Sequence, residues 1–451
     1  MGFGFAEVAA IRLGYGLSPH WPPPADARAV LAEPALSGPG TDAMTTERAT
    51  QMAARLQQAQ QLRAQDLESP DFAEARAALN VLPEQDLRRR LARALDAPCG
   101  FGERLVQFWC DHFTVRPMGV ARFALALAFQ DEAIRPHLNG RFEDMFVAAE
   151  THPMMLVYLD QITSRGPNSP FARRRPGLGL NENLAREALE LHSLGVGAAY
   201  SQADVRQLAE LLTGLSYDLR EGFVFRPQWA EPGAETVLGR SYGGGRPNLA
   251  DIHSALRDIA RRPETARHLS RKLAVHFVAD DPPEDLVQAL TAAWQDSGGA
   301  LPVVHEVLVT HPALPATLRH KVRQPLDLLA AGLRALGVTG AQVSALDQGL
   351  LRRALMQPLA AMGQPWGQPK GPDGWPERAQ SWIAPQMLAA RINWALRVPR
   401  LLLDELPDPR ALVATALGGT QSAELSWAVP RAESAAEGVA LVLASADFNR
   451  R

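Results

Sequence analysis

Helical periodicity is the feature of this sequence that most restricts its fold. Apolar residues recur at spacings of three and four along most of the 451 residues, which places them on one face of an α-helix. The predicted helices include 45–66, 72–96, 102–114, 119–133, 182–194 and 202–214, with further ones between 249 and 397. Ser201 and Asp204 open the helix at 202–214 with the spacing of a capping box.

One segment, residues 215–248, departs from that pattern. Phe223-Val224-Phe225 alternates with polar neighbours, and Gly243-Gly244-Gly245 closes the segment, as is typical of a short hairpin. We therefore predict an all-α fold: a large multi-helix domain with a small irregular or β-hairpin excursion near 215–248. The expected organisation is an N-terminal segment with a Pro/Gly-rich loop at 1–44, a main helical domain at 45–400 and a C-terminal tail at 401–451 packing on it.

The composition restricts the classes of partner. Lysine and arginine total 46 against 49 aspartate and glutamate residues, so the net charge of −3 gives no general attraction to nucleic acid or anionic membranes. Two cysteines, Cys99 and Cys110, are too few for a disulfide framework. The N-terminus lacks a basic region and carries Glu7 inside its apolar run, unlike a signal peptide. We expect a cytoplasmic protein without a membrane span.

The densest group of functional side chains lies in the predicted helix that begins near Leu180. The polar residues that share an arc of roughly 140° on its wheel are Glu182, Asn183, Arg186, Glu187 and Glu190. His192 projects to the opposite, apolar side and cannot share a metal ion with Glu190 through this helix alone. One interpretation is a solvated face with i,i+4 ion pairs from Arg186 to Glu182 and Glu190. The other is a polar wall of a ligand-binding cleft.

A second candidate, His112, lies on the apolar arc of the helix at 102–114, while Asp111 projects to its polar side. His112 is interpreted either as a buried histidine bonded to a neighbouring helix or as a ligand or general base in a polar pocket. The histidines form no local metal motif, because His305 and His311 do not have the i,i+4 spacing of a zincin. The sequence does not identify a metal ion or a cofactor.

A loop rich in glycine, proline and tryptophan occupies 363–376. Trp366 and Trp375 either anchor it on the core or provide an aromatic platform for a sugar or an extended peptide. The sequence has no Walker-type phosphate loop, no dinucleotide-binding glycine fingerprint and no Gly-x-Ser-x-Gly element. Kinase, dehydrogenase and common esterase functions are therefore unsupported.

Several ordered motifs together resemble one bacterial family, the domain of unknown function 1800. The segments that carry the resemblance are Arg12-Leu13-Gly14-Tyr15-Gly16, Glu103 to Trp109 with His112-Phe113, His152-Pro153-Met154-Met155 with Tyr158-Leu159-Asp160, Gly166-Pro167-Asn168-Ser169, Leu180 to Gly195, Leu212-Thr213-Gly214, Thr236-Val237-Leu238-Gly239, Gly374-Trp375-Pro376 and Ile392-Asn393-Trp394-Ala395.

The resemblance implies a largely helical fold and no established chemistry. Many similar proteins carry export signals and are encoded beside sulfatase-like proteins, which makes a sulfatase-like protein a candidate partner. This chain departs from the family at Cys110, where a histidine is frequent, at Ala230-Glu231, where His-Asp is frequent, and at Glu235, where lysine is frequent. If these positions serve catalysis or metal binding elsewhere in the family, the departures imply that this chain has lost that activity.

Two functional hypotheses follow. The first is an enzyme acting on a polar or anionic substrate, with Glu187, Glu190 and Arg186 as catalytic residues. Its substrate-binding residues would be Asn181, Glu182, Asn183, His112 and Trp375. The second is a non-catalytic accessory protein that binds a partner protein, such as the sulfatase-like neighbour, or a glycan. Burial of Glu187 and Glu190 in a concave site would favour the enzyme.

Overall fold

Helices form most of the chain, as the periodicity predicts. The computed structural model describes residues 4–65, 70–175, 177 and 179–451. The helices of the first half are α1 (Phe5–Arg12), α2 (Ala27–Leu31), α3 (Glu33–Leu36), α4 (Thr46–Arg63), α5 (Pro70–Asn80), α6 (Leu82–Asp96), α7 (Phe101–His112), α8 (Val120–Phe129), α9 (Phe142–Thr151), α10 (Pro153–Tyr158), α11 (Asn183–Glu190) and α12 (Gln202–Leu211).

Two small antiparallel hairpins interrupt the helices, which confirms the excursion predicted at 215–248. β1 (Leu215–Asp218) pairs with β2 (Gly222–Phe225), with Ser216 opposite Val224. β3 (Ala234–Val237) pairs with β4 (Arg240–Gly243), and the two hairpins form separate two-stranded sheets.

The second half is again helical. Its helices are α13 (Leu249–Ala260), α14 (Pro263–Phe277), α15 (Glu284–Asp296), α16 (Leu301–Thr310), α17 (Ala313–Ala316), α18 (Pro325–Ala335), α19 (Gly340–Ala345), α20 (Gln348–Leu351), α21 (Gln357–Ala361), α22 (Pro385–Arg397), α23 (Pro399–Leu402), α24 (Pro409–Leu417), α25 (Ala423–Ala428), α26 (Ala435–Ala444) and α27 (Ala446–Asn449). None of the helices in the described residues is both long and apolar enough to cross a membrane.

Local sequence signals explain where several helices begin and end. The single helix predicted at 72–96 is wrong, because α5 and α6 meet at Val81. Pro83 lies in the first turn of α6, where its missing N–H is tolerated, whereas inside one continuous helix it would break the hydrogen-bond ladder. Ser201 and Asp204 exchange the reciprocal hydrogen bonds of a capping box, as predicted.

The core consists of two large clusters of buried apolar side chains. The larger includes Phe108 and Trp109 of α7 and Phe277 of α14, and the second surrounds α18 and α22 and includes Trp394. Between α7 and α18, the buried carboxylate of Asp327 lies 3.6 Å from a guanidinium nitrogen of Arg104. This ion pair fixes α7, whose last turn contributes to the candidate site. The proposed boundaries at 44 and 400 remain predictions.

Candidate active site

The polar face of α11 begins with residues that serve the backbone. The Asn181 side-chain oxygen accepts a hydrogen bond from the Asn183 amide at 2.9 Å, and its nitrogen donates to the Asp160 carbonyl at 3.3 Å. Asn183 itself is exposed. Asn181 therefore satisfies an amide at the start of the helix and fixes the preceding turn.

Arg186 is neutralised by its own helix. Its guanidinium lies 3.3 Å from a carboxylate oxygen of Glu182 and 3.3 Å from one of Glu190, and it also donates to Gln202 at 3.2 Å. These are the two i,i+4 pairs that the sequence predicts. Because all three charged side chains are partly exposed, each pair contributes only about 0.3–0.5 kcal/mol. Arg186 and Glu190 thus form the solvated face of the first interpretation.

Glu187 points to a different environment from Glu190. It is half-buried, and burial raises its pKa, while the nearby charge of His192 opposes the rise and the carboxylates of Glu190 and Glu150 add to it. The charge of Glu187 in turn helps to raise the pKa of Tyr158, after burial. Glu187 is therefore a carboxylate facing inward, near a tyrosine and a histidine.

A buried histidine–carboxylate pair lies behind this face. The chain leaves α11 after Glu190, and His192 Nδ1 lies 2.7 Å from Glu150 Oε1 of α9. Both side chains are buried. His192 is thus on the apolar side, as the wheel predicts, but its carboxylate partner comes from α9, a contact that the sequence analysis missed.

His112 of α7 is buried beside this pair. Its Nε2 lies 3.2 Å from the His192 carbonyl oxygen, and the two imidazole rings are 5.9 Å apart. Burial lowers the pKa of His112 well below its usual value, and the charge of Lys272 adds to that shift. His112 Nδ1 and His192 Nε2 make no hydrogen bond with any described part of the chain. His112 is therefore a neutral imidazole with one free ring nitrogen.

The last turn of α7 also holds the loop that carries Trp375. The Trp375 amide donates a hydrogen bond to Asp111 Oδ1 at 2.8 Å. Gly374 makes this contact possible, because it adopts a φ of +78° and a Cβ there would lie 2.6 Å from the Asp111 carbonyl oxygen. The indole of Trp375 is partly exposed, whereas Trp382 is buried and donates to the Pro376 carbonyl at 2.8 Å. The loop is thus anchored through Trp382 and presents Trp375.

A cavity of about 130 Å³ opens at this point. Residues that line it include Cys110, Asp111, His276, Trp366 and Trp375. Its walls come from the end of α7, from α14 and from the 363–376 loop. Asp111, which the sequence analysis placed only on a polar helix face, therefore lies in a concave site.

Asp111 lies within electrostatic range of Lys272 of α14, and their pKa values shift toward each other. Burial raises the pKa of Asp111 to about 8 against the Trp375 hydrogen bond, and the charges of Glu377 and Asp373 add to the rise. Burial lowers the pKa of Lys272, while the carboxylates of Asp111, Glu377 and Asp373 oppose that change. The pKa of one acid is thus raised to about 8, and the pKa of one neighbouring amine is lowered.

Lys272 was missed by the sequence analysis because it belongs to no local motif. The chain has only three lysines, Lys272, Lys321 and Lys370, among 46 basic residues. An isolated lysine in such an arginine-rich chain was the one available signal, since lysine, unlike arginine, loses its proton readily when buried. His268 precedes Lys272 by one turn, and burial lowers its pKa to about 4.

A fixed anion lies at the edge of this site. Glu377 accepts from His276 Nδ1 at 2.6 Å and lies 2.9 Å from Lys321 Nζ. His276 and Lys321 hold the pKa of Glu377 well below its usual range, although burial opposes them. On its other side, His276 Nε2 lies 3.1 Å from Arg104 Nη2. Glu377 therefore stays ionised and acts on Asp111 and Lys272 as a permanent negative charge.

No three histidine, cysteine, aspartate or glutamate side chains in the described portion of the chain are arranged to hold a metal ion. The site is instead a set of carboxylates, imidazoles and one amine.

The positions that depart from the resembled family line two different cavities. Cys110 lines the cavity with Asp111, and burial raises the pKa of its thiol. Ala230, Glu231 and Glu235 line a smaller one beside the β3–β4 hairpin. There Glu235 is buried, and burial with the charges of Glu210 and Glu231 raises its pKa to about 7. Glu231 accepts hydrogen bonds from Asn168.

Comparison with known proteins gives one match. A family described as "Protein of unknown function (DUF1800)" matches residues 9–450, nearly the whole chain. No curated protein and no solved structure matches.

Proposed function

The chain belongs to the DUF1800 family of proteins of unknown function, and we propose that its cleft at Asp111 and Lys272 is an acid/base active site. The observation that carries the proposal is that Asp111 lines the cavity while its pKa rises and the pKa of nearby Lys272 falls, each charge acting on the other. Pairs of titratable groups whose surroundings move their pKa values by several units are concentrated in active sites.

In this proposal Asp111, with its pKa raised to about 8, is the proton donor, and Lys272, with its pKa lowered, is the proton acceptor. Protonated Asp111 supplies a proton to a leaving group, and the neutral amine of Lys272 accepts one from water or a substrate hydroxyl. General acid/base catalysis is most effective when the pKa of the group lies near the working pH. Glu377, held ionised by His276 and Lys321, keeps the pKa of Asp111 high and so maintains the acid form.

The charges around the cleft favour an uncharged polar substrate. Asp111, Asp373 and Glu377 surround the single amine of Lys272. Arg186, one of the catalytic residues predicted from the sequence, is occupied by Glu182 and Glu190. The partly exposed indole of Trp375 offers a flat apolar face of the kind that stacks on a sugar ring or a peptide.

The residues predicted from the sequence to be catalytic or substrate-binding have partly different roles in this site. Glu187 remains a candidate second carboxylate, because it is half-buried and faces inward. His112 and Trp375 stay as candidate substrate-binding residues. Glu190 and Arg186 pair with each other, and Asn181 and Asn183 order the start of α11, so these four have no catalytic role in the proposal.

The test is turnover of neutral chromogenic substrates, namely 4-nitrophenyl glycosides and peptide 4-nitroanilides. We expect Asp111→Asn and Lys272→Met each to lower kcat by at least about 100-fold. The matched control is Lys370→Met, which removes an exposed lysine of the neighbouring loop. Equal turnover by the Lys272→Met variant and the unaltered protein would reject the acid/base role.

A second candidate is an accessory protein that binds a partner, for which the family resemblance suggests the sulfatase-like neighbour. The observation that supports it lies away from the cleft. Several of the large apolar side chains that the structure leaves exposed are concentrated in one stretch, from Ile383 to Trp427. A sulfatase-like protein mixed with this chain would co-elute with it on gel filtration if this candidate is correct.

A further inference from the structure

Helix α22 has an apolar stripe on its outer side. Leu388, Ile392 and Leu396 follow one another at intervals of four, so they lie along one face of the helix. Their exposed fractions are 41%, 41% and 42%. On the opposite side, Trp394 is buried in the second core cluster. The helix thus carries apolar side chains that remain partly exposed.

The stripe borders a long groove of about 480 Å³. Ile392 and Leu396 form one wall, and the apolar residues of α25 and α26 that line the rest are Leu425, Ala428, Ala440, Leu441 and Ala444. Beyond it, Leu401 and Trp427 are 47% and 63% exposed. An apolar surface of this kind, spread over several helices, marks an interaction site rather than scattered exposed residues.

The groove has the shape and charge that suit a helix. Its walls are helices with small and branched apolar side chains, which accept the i, i+4 side chains of another helix. The charged side chains that the structure describes along its lining are Glu424, Glu437 and Asp447, all acidic. Asp447 is paired with Arg319 at 2.9 Å, so Glu424 and Glu437 provide the free negative charge.

We propose that this groove binds an amphipathic α-helix of a partner protein, with leucine-like residues in the groove and lysine or arginine at its flanks. A second copy of this chain fits less well, because a symmetric contact would bring Glu424 and Glu437 close to their own counterparts. The inference deepens the accessory candidate and rests on it. It is independent of the acid/base chemistry at Asp111 and Lys272.

The experiment uses a fluorescent synthetic peptide of 18 residues that forms an amphipathic helix, with leucines on one face and lysines on the flanks. A second peptide of the same length has glutamates in place of the lysines. Fluorescence anisotropy measures the Kd of each for the full chain. We expect the lysine peptide to bind more tightly than the glutamate peptide.

Two variants locate the binding. Ile392→Glu places a charge in the stripe, and we expect it to weaken the binding of the lysine peptide by at least about tenfold. The matched control, Val303→Glu, alters a side chain that is 42% exposed on α16, and should bind as the unaltered chain does. Glu424→Lys should reverse the preference between the two peptides even if Ile392→Glu proves poorly folded.

Three results would overturn the inference: binding of neither peptide, equal binding by Ile392→Glu and Val303→Glu, or a dimer in sedimentation that Ile392→Glu dissociates. The last would identify a second copy as the occupant. Turnover at Lys272 is measured separately, so a failure here leaves the acid/base proposal standing. If these peptides bind at the stripe and the sulfatase-like protein does not co-elute, only that choice of partner fails.

Discussion

The carboxylate of Asp111 in the cavity and the amine of Lys272 on α14 each change the proton affinity of the other. Each charge stabilises its partner's charged form, which limits shifts that burial drives in opposite directions. Glu377 and Asp373 are near enough to act on both. The protonation of Lys272 is therefore the most direct report on the state of the site.

Lys272 should be the most reactive of the three lysine side chains near pH 8. Its pKa is lowered by burial, whereas Lys321 is fully buried in ion pairs with Asp280 and Glu377, and Lys370 is exposed. The measurement is modification by a small amine reagent such as cyanate over a range of pH, with the three sites separated by peptide mass spectrometry. Lys370 is the internal reference.

Asp111→Asn sharpens that test. The carboxylate of Asp111 favours protonated Lys272, so its removal should lower the pKa of Lys272 further and move its labelling curve to lower pH. The curve for Lys370 should not move. A Lys272 curve that superimposes on that of Lys370 in both proteins would contradict the shared cleft.

Removing the charge of Glu150 and removing the charge of Glu187, two carboxylates near His192, should have different effects on the stability of the protein. Glu150→Gln removes the charged partner of a buried histidine, and we expect a loss of about 1–3 kcal/mol in the free energy of unfolding at pH 7. Glu187→Gln should be neutral or stabilising at pH 7, because burial already penalises the ionised form of Glu187. Urea denaturation of both variants measures the difference.

The pH dependence of the stability difference between the unaltered protein and Glu187→Gln follows from the linkage between proton binding and folding. Its pKa is raised in the folded state, so the stability of the unaltered protein relative to Glu187→Gln falls as the pH rises through that pKa. Glu182→Gln, on the exposed side of α11, is the control and should stay within about 0.5 kcal/mol at every pH. A clear loss of stability for Glu187→Gln at pH 7 would mean that Glu187 has a cationic partner.

The fold was largely predictable because helical periodicity is a local property. The i,i+4 pairs of Arg186 and the capping box at Ser201 follow from spacing within one helix, and the structure contains both. The break at Val81 was also predictable in principle, since Pro83 cannot lie in a helix interior.

The candidate site was less accessible, because its contacts join distant parts of the chain. His192 contacts Glu150 of α9, and Asp111 of α7 accepts a hydrogen bond from the Trp375 amide and is influenced by the charge of Lys272 on α14. A helical wheel correctly separates His192 from Glu190, but it cannot show which helix supplies the partner. Only tertiary packing decides that a single lysine in α14 faces the end of α7.

Gly374→Ala should damage the cleft more than the fold. The residue has a φ of +78°, and a Cβ would come within 2.7 Å of Asp111 Oδ1 and 2.6 Å of its carbonyl oxygen. We expect a loss of about 1–3 kcal/mol, with displacement of the Trp375 amide from Asp111. Thermal melting measures the loss, and the labelling curve of Lys272 should move as well.

The control for that substitution is Gly38→Ala, because a Cβ on Gly38 would meet no other atom within 4 Å and its φ is not positive. It should leave melting and labelling unchanged. If Gly374→Ala behaves like Gly38→Ala, the hydrogen bond between Trp375 and Asp111 does not organise the site.

Glu235→Gln should stabilise the protein at alkaline pH and have little effect at acid pH. The pKa of Glu235 is raised to about 7 by burial and by the charges of Glu210 and Glu231, from an ordinary value of 4.5. Because the pKa of this carboxyl is raised on folding, its full contribution to the free energy of unfolding is present below pH 4.5. That contribution is lost as the pH rises through 7. The glutamine keeps the neutral form throughout, so its advantage should grow across this window to about 3 kcal/mol at most. Urea denaturation at pH 5 and pH 8 measures it, with the exposed Glu306→Gln as control. A pH-independent difference would show that Glu235 stays ionised in the fold, and would require a cation beside it in the cavity of the β3–β4 hairpin.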